Sequence, residues 1–490
     1  MLNMSSTYNE AIKQLSDISN ISDSASSNLN ALNQVKYSQY FTPAAIANQI
    51  ARMIPPCENA VIGDYGAGAG ILSGTAAILQ AALHNTPYSK VHAFEIDKDL
   101  HVFIEKTISK VADYYGDNKH KAPSLELNGD FLEGVGRLLE SSTIKPSSLV
   151  DTIILNPPYK KLGKQTEVGK KLTAAGINVP NIYALFIMIS MTWLKPGGYM
   201  VAIVPRSFTN GRYFKEFRYW LRKHTSLDWV VRYKGRSNLF KRDNVLQENV
   251  IIRLQKEVPQ SEQVRVTICP DAESDPTMDH LISSSTMMQE NEGAMLFVPA
   301  NEKELLAMEV IANNPCKLSD LGLAVSTGKI EEFRYREWLS NTKHSDHVPL
   351  LYSGHWERGN TKIQSLGNKI GKKNPYLKIN DKTIKKILPK GAYVVLKRIS
   401  ANDDDGGRVH AALLPPEVIK SEGVAIENHV QYFHSNGKGI NPELASGLVR
   451  FLSSDPVEYM MRAVSGTTQL NVSDLEQLRF PLKEELIALS

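Results

Sequence analysis

Two consecutive prolines, Pro157 and Pro158, close the apolar run Asp151-Thr152-Ile153-Ile154-Leu155-Asn156, and this restricts the fold more than any other feature of the chain. The β-branched and apolar residues read as a buried strand. Proline lacks a ladder donor and holds the residue before it extended, so the strand stops at Asn156 in a rigid turn. In an open α/β sheet, ligands bind beyond the carboxyl ends of strands. There a side-chain amide (Asn156), a fixed carbonyl (Pro157) and an aromatic face (Tyr159) would converge on a crevice. The same residues equally describe a strand that ends in a proline-rich turn, so the flanking segments decide.

Tyr40-Phe41-Thr42-Pro43 opens an amphipathic helix, with proline near its first turn. Next comes a short strand, Ala60 to Ile62, then the loop Asp64-Tyr65-Gly66-Ala67-Gly68-Ala69-Gly70 and a second helix. Glycines at 66, 68 and 70 permit a tight turn and close approach of a ligand to the backbone. The loop lacks the Lys-Ser/Thr of a P-loop and departs from G-x-G-x-x-G spacing, so phosphate is not its natural ligand. Asp64 instead favours an amino group or hydroxyls. Lys90 to Asp97 is a second strand ending in acids, of which Glu95 can accept both hydroxyls of a ribose, as for adenosine in a doubly wound sheet. Gly129-Asp130-Phe131 supplies a third strand end, with a carboxylate for an adenine amino group and a ring to cover it; a strand-end acid alone is more often a helix cap.

After Tyr159 the pattern continues with a Lys- and Gly-rich loop (160–176), a helix from Ile182, a turn at Lys195-Pro196-Gly197-Gly198 and a strand from Tyr199 to Pro205. A helix over 211–224 and strands at 227–233 and 249–254 follow. This alternation means an α/β, doubly wound, mostly parallel sheet with helices on both faces. The expected organisation is a peripheral N-terminal arm (1–36), rich in Ser and Asn, where Thr7 to Glu10 could also open a capped helix, then a catalytic domain (37–257), a polar linker (258–300) and a mixed α+β domain (301–490).

Composition narrows the class only slightly. A chain of 490 residues, 42% hydrophobic and 22% charged, has room for two or three ordinary globular cores. Its formal charge of +4 does not by itself announce a nucleic-acid partner. The 3 cysteines lack metal-ligand or disulfide spacing, which suits a reducing compartment and no metal. The start lacks the regions of a signal peptide, and the run 182–194 is too short to span a bilayer, so a cytoplasmic location without membrane is expected.

The series YFTP, GDYGAGAG, FEID, GDFL, ILNPPY, KPGG with VAIVP, and Asn238-Leu239-Phe240 resembles, in content and order, the gamma-class N6-adenine DNA methyltransferases of restriction–modification systems. The resemblance runs from about residue 37 to 257; Tyr65 departs from it, standing where the family often has proline. It implies a Rossmann-like fold and S-adenosyl-L-methionine as cofactor. Thr42, Asp64, Gly66 and Gly68 would surround the methionine end, Glu95 would hold the ribose, and Asp130 with Phe131 the adenine. In the catalytic tetrapeptide Asn156-Pro157-Pro158-Tyr159, Asn156 and the Pro157 carbonyl would accept the target amine, while Tyr159 and Phe240 would stack on the flipped base. Phe240 is otherwise a core aromatic beside a strand. The implied partner is double-stranded DNA, in a prokaryotic cell, with a monomeric enzyme and a separately encoded restriction endonuclease. The tetrapeptide also resembles that of RNA adenine and protein glutamine methyltransferases, and a DNA-binding specificity subunit without catalysis is a further alternative.

The carboxyl half favours a duplex reader. Lysines gather between 362 and 397 against a single nearby acid, Asp381, with Tyr376 and Tyr393 among them. Lys372, Lys373, Lys378, Lys385 and Lys386 are the candidates for phosphate contacts; a lysine run is also simply a solvated face. The stretch Ser465 to Leu475 looks like the tail of target-recognition domains, or a turn and a helix cap.

Overall fold

The computed structural model describes residues 2–28, 41–139, 149–233, 248–288, 295–357, 359–400, 407–419, 422–464 and 469–490. The chain divides into two compact units, Met1–Ala300 and Asn301–Ser490.

The first unit is built on a nine-stranded sheet. Its strands are β1 (Val61–Tyr65), β2 (Lys90–Phe94), β3 (Ser124–Asn128), β4 (Val150–Leu155), β5 (Leu194–Pro205), β6 (Thr225–Tyr233), β7 (Asn249–Lys256), β8 (Gln263–Cys269) and β9 (Met278–Ser283). Their order across the sheet is β3-β2-β1-β4-β5-β7-β6-β8-β9. The first five run parallel, while β7 and β9 are antiparallel to their neighbours. Chain order reverses between β1 and β4: from β1 the chain goes out to β2 and β3, then returns on the other side. That switch opens a crevice at the carboxyl ends of β1 and β4, which is where Gly66 and Asn156 lie. From Thr152 in β4 and from Met200 in β5 every residue is buried and nearly all are apolar, as in strands covered on both faces.

Helices cover the sheet. They include α1 (Leu2–Asn28), α2 (Ala44–Arg52), α3 (Ile71–His84), α4 (His101–Asp117), α5 (Ile182–Trp193) and α6 (Lys215–His224). The amino-terminal segment, expected as a peripheral arm, is instead a packed helix. Ala11, Gln14, Ile18, Ser22 and Ala25 are buried and recur every three or four residues, the stripe a helix needs to lie on α3 and α4. Residues 258–300 are likewise no mere linker, because β8 and β9 extend the sheet and Val264, Val266 and Ile268 fill its core. Two smaller expectations also change. Lys195-Pro196-Gly197-Gly198 lies inside β5 with a register shift in its pairing to β4, and the loop 160–176 contains a short helix, Glu167–Ala174.

The second unit holds two sheets. Strands β10 (Ala324–Thr327), β15 (Tyr393–Lys397), β16 (Ala411–Leu414) and β18 (Val430–His434) form an antiparallel four-stranded sheet in the order β10-β18-β15-β16. A five-stranded sheet of β11 (Leu339–Ser340), β12 (His347–Leu351), β13 (Tyr376–Lys378), β14 (Ile387–Leu388) and β17 (Val424–Ile426) runs in the order β11-β13-β12-β17-β14. Helices α7 (Glu302–Ala312), α8 (Pro442–Leu452) and α9 (Asp455–Val464) pack within the same unit. This is the mixed α+β composition expected of residues 301–490.

Candidate functional site

A cavity of about 210 Å³ opens at the carboxyl ends of β1 to β4, with Thr42, Gly66, Gly68, Glu95, Asp130 and Phe131 on its wall beside Asn156 and Pro158. Six of the seven residues expected around a cofactor therefore meet in one place. Gly66 and Gly68 have φ of +83° and +58°, a left-handed backbone that strains any residue with a Cβ. The loop is held from the neighbouring strand, since the N–H groups of Gly66 and Ala67 both donate to Phe94 O at 2.8 and 2.9 Å.

Glu95 fixes both the loop and its own strand end. Its Oε2 accepts from Gly68 N–H at 2.8 Å and its Oε1 from Asp97 N–H at 2.9 Å. Burial raises the pKa of this carboxyl, and those two backbone N–H groups pull it back down. Each carboxylate oxygen retains a second lone pair for a ligand hydroxyl. Asp97, the other acid of this strand end, instead caps the following turn through Asp99 N–H at 3.1 Å. Asp130 does both jobs: Oδ1 accepts from Leu132 N–H at 2.8 Å, and the residue also borders the cavity.

Asp64 is placed differently from the expectation. It is fully buried behind the loop and does not line the cavity. Its Oδ2 accepts from Ser73 N–H at 3.1 Å in the first turn of α3, while Oδ1 has no hydrogen-bond partner among the described residues. Burial drives its pKa up to about 7, opposed by the bonds from Ser73. Asp64 therefore bears on a ligand only through the loop and helix that it ties together.

Asn156 stands at the head of the turn after β4. Its Nδ2–H donates to Thr42 Oγ1 at 2.9 Å, and Tyr159 O–H lies 3.3 Å from both Asn156 Oδ1 and Ile203 O. The phenol is buried enough that its pKa lies well above the ordinary value, so it stays a donor. Thr42 thus touches the amide as well as bordering the cavity. Phe131 is buried and stacks on Tyr65, ring centroids 4.7 Å apart, with Phe186 of α5 at 4.9 Å on another side. Phe240 lies outside the described residues.

Sequence reasoning missed several wall residues. Lys160, Ile182 and Phe186 reach the cavity because the chain after Tyr159 returns α5 to the same strand end. Backbone pairing closes that long connection, with Ile182 N–H donating to Lys160 O at 2.9 Å and Leu162 N–H to Pro180 O at 3.1 Å, and no local pattern in the sequence marks such a pairing. In the second unit the nominated lysines divide. Lys373 pairs with Glu332 at 3.2 Å and lies over the Tyr352 ring, and Lys378 pairs with Asp346 at 3.7 Å. Lys386 lies over the ring of Tyr335. Lys372 and Lys385 are exposed and carry no ion pair among the described residues. Of the tail, Ser465 to Thr468 lie outside the described residues, while Asn471 and Asp474 cap the short helix Val472–Leu475.

Comparison with known proteins bears on what such a cavity serves. Across 96% of this chain and 92% of its own length, type II methyltransferase M.PstI of Providencia stuartii is 32% identical. The chain belongs to the type II methyltransferases of restriction–modification systems. M.BsuBI of Bacillus subtilis, another of them, is 32% identical over 93% of this chain and 90% of its own. Residues 96–240 match the model of the Eco57I restriction-modification methylase family. Among solved structures, the type IIG restriction endonuclease BpuSI overlays 91% of this chain and 59% of its own at 16% identity and a TM-score of 0.44. The chain is therefore a DNA methyltransferase that uses S-adenosyl-L-methionine. The wall suits that cofactor, with two carboxylates, Glu95 and Asp130, able to accept from hydroxyls and an amine, a left-handed glycine loop, and aromatic and aliphatic side chains. No helix among the described residues is long and apolar enough to cross a membrane.

Proposed function

We propose that this methyltransferase acts on the N6 amino group of adenine in duplex DNA, after the base has been drawn out of the helix. The observation that carries the reading is Asn156 on the wall of the cofactor cavity, at the head of a proline-fixed turn. An adenine amino group is a poor nucleophile because its lone pair is delocalised into the ring. Two acceptors on its hydrogens, Asn156 Oδ1 and the Pro157 carbonyl, favour a pyramidal nitrogen. Asn156 Oδ1 has two lone pairs, so it can take one N–H while Tyr159 keeps the other.

The bound cofactor supplies a methyl already activated on a sulfonium; carbon–sulfur cleavage accompanies nitrogen–carbon bond formation, and the amine releases one proton to water. The protein's part is then position and electrostatics, with no strong base. Thr42 orients the Asn156 amide, Glu95 and Asp130 hold the ribose and adenine of the cofactor, and Gly66 and Gly68 let its chain lie against the backbone. Flipping costs a few kcal/mol, which stacking on Tyr159 and Phe240 would offset at ~1–3 kcal/mol per stacked base.

Residues 301–490 are assigned to target recognition, with Lys372 and Lys385 on phosphates. The enzyme would act as a monomer, with cleavage left to a separately encoded endonuclease. Single-molecule sequencing of DNA from cells expressing the protein tests the reading. N6-methyladenine within one short sequence is the expected result, and a modified cytosine would overturn the adenine assignment.

A further inference from the structure

Three ionisable side chains border the cavity among the described residues: Glu95, Asp130 and Lys160. Strand order arranges them along the crevice. Asp130 follows β3, Glu95 follows β2, the glycine loop follows β1, and Lys160 follows β4. With strands ~4.8 Å apart, three steps separate the ends of β3 and β4 by ~14 Å. Both acids therefore sit towards one end and the lone cation stands at the other.

Lys160 is held there by its backbone. Its carbonyl accepts from Ile182 N–H at 2.9 Å, Leu162 N–H donates to Pro180 O at 3.1 Å, and Lys161 bridges to Asn181. Its side chain is exposed and meets no carboxylate among the described residues. The helix that begins beside it, α5, has no acid in its first turn and no side-chain cap from Asn181. A cation beside the positive end of a helix dipole is unfavourable unless an anion lies between them. Two positive features thus converge on a ligand cavity.

We propose that Lys160, together with the start of α5, binds the carboxylate of the cofactor's methionine moiety. The assignment rests on the reading of Glu95 as the ribose acceptor. With the ribose at β2, the amino-acid tail runs over the Gly66–Gly68 loop towards β4, and the carboxylate is the one anionic group on that tail. Fixing it would set the direction in which the methyl faces Asn156.

Calorimetry on the full chain separates the possibilities, using S-adenosylmethionine and its decarboxylated analogue as probes. Lys160→Gln should weaken S-adenosylmethionine about tenfold, the scale of one charge-assisted hydrogen bond, and leave the decarboxylated analogue unchanged. Lys160→Arg should restore most of the affinity. Equal loss with both probes, or no loss with either, overturns the proposal. So does a loss confined to duplex DNA in the same variants, which would move Lys160 to a backbone phosphate. Glu95→Ala serves as the control and should weaken both probes alike. If it weakens neither, the ribose assignment fails, while the difference between probes at Lys160 still reports on the carboxylate.

Discussion

The side-chain amide of Asn156 donates to the hydroxyl of Thr42 at 2.9 Å, across 114 positions of sequence. One bond thus joins the entry to α2, beside the cavity, to the turn beyond β4. The amide is half-buried and its oxygen also lies 3.3 Å from Tyr159 O–H, so the Thr42 hydroxyl is one of the contacts that set its orientation, and losing it should be felt. Thr42→Val is expected to lower turnover about tenfold, the scale of one hydrogen bond, and Thr42→Ser to restore it. Single-turnover assays with radiolabelled S-adenosylmethionine measure this; a Val variant with normal turnover would show that Asn156 is held by other contacts.

Removing the amide itself should do more. Asn156→Ala is expected to bind the cofactor and duplex DNA as before while turnover falls ~10²-fold or more, by analogy with the loss of one positioned group in an oxyanion site. Near-normal turnover on an adenine-containing site would reduce the tetrapeptide to a turn.

Glu95 anchors the glycine loop and also borders the cavity, so its variants should separate two effects. Glu95→Ala removes the acceptor of Gly68 N–H and Asp97 N–H, and is expected to cost ~1–3 kcal/mol of stability along with cofactor affinity. Glu95→Gln retains an amide oxygen and should recover part of the melting temperature. A melting temperature for Glu95→Ala equal to the wild type would contradict the loop-anchoring role.

Asp64 supplies a pH dependence. Its folded-state pKa, about 7, lies above the unfolded value of 3.8. The folded protein therefore keeps a proton that the unfolded chain gives up between those values. Its contribution favours folding most fully below that range and declines as pH rises to about 7. Asp64→Asn keeps an acceptor for Ser73 N–H and cannot ionise. Its stability relative to wild type should rise from pH 5 to pH 8, by on the order of 1–3 kcal/mol. Thermal melts at the two pH values give the comparison, and a difference that does not change with pH would remove Asp64 as the cause.

In the second unit, geometry ranks the lysines. Neutralising Lys372 and Lys385 should weaken binding to all duplex sequences alike and flatten the dependence of log affinity on log salt by about one unit per lost contact. Lys378→Gln should change it less, since Asp346 already takes part of that charge. Filter binding across a salt series measures this, and an unchanged slope would return the cluster to a solvated face.

Strand ends were legible because each carries a residue that chemistry restricts: prolines after β4, left-handed glycines after β1, acids after β2 and β3. A mostly parallel sheet followed from the alternation of strands with helices, while the order of its strands comes from the structure. What escaped reading lacked such marks. The buried stripe of α1 is made largely of alanine, serine and glutamine, so a Ser- and Asn-rich segment hid it. The alternation Val264, Val266, Ile268 of β8 was present, but the prolines and serines around it suggested a linker. The placement of Asp64 and the partners of Lys373 and Lys378 depend on contacts between distant segments, which local patterns do not encode. Glu332 and Asp346 lie outside the lysine run they neutralise.

The stripe on α1 also bears on where this protein can be cut. A Cβ on Gly74 would come within 2.5 Å of Thr107 Cγ2 and 3.2 Å of Ile18 Cδ1, so helices α1, α3 and α4 meet at closest approach there. Thr107 Oγ1–H in turn donates to Ala69 O at 2.8 Å, inside the glycine loop. A fragment starting at residue 37 would leave one side of that junction open to water and free the threonine that steadies the loop. Its poor grip on the cofactor would then reflect a missing buttress instead of a missing ligand contact, so fragments prepared for crystallisation or cofactor soaking should keep the first helix.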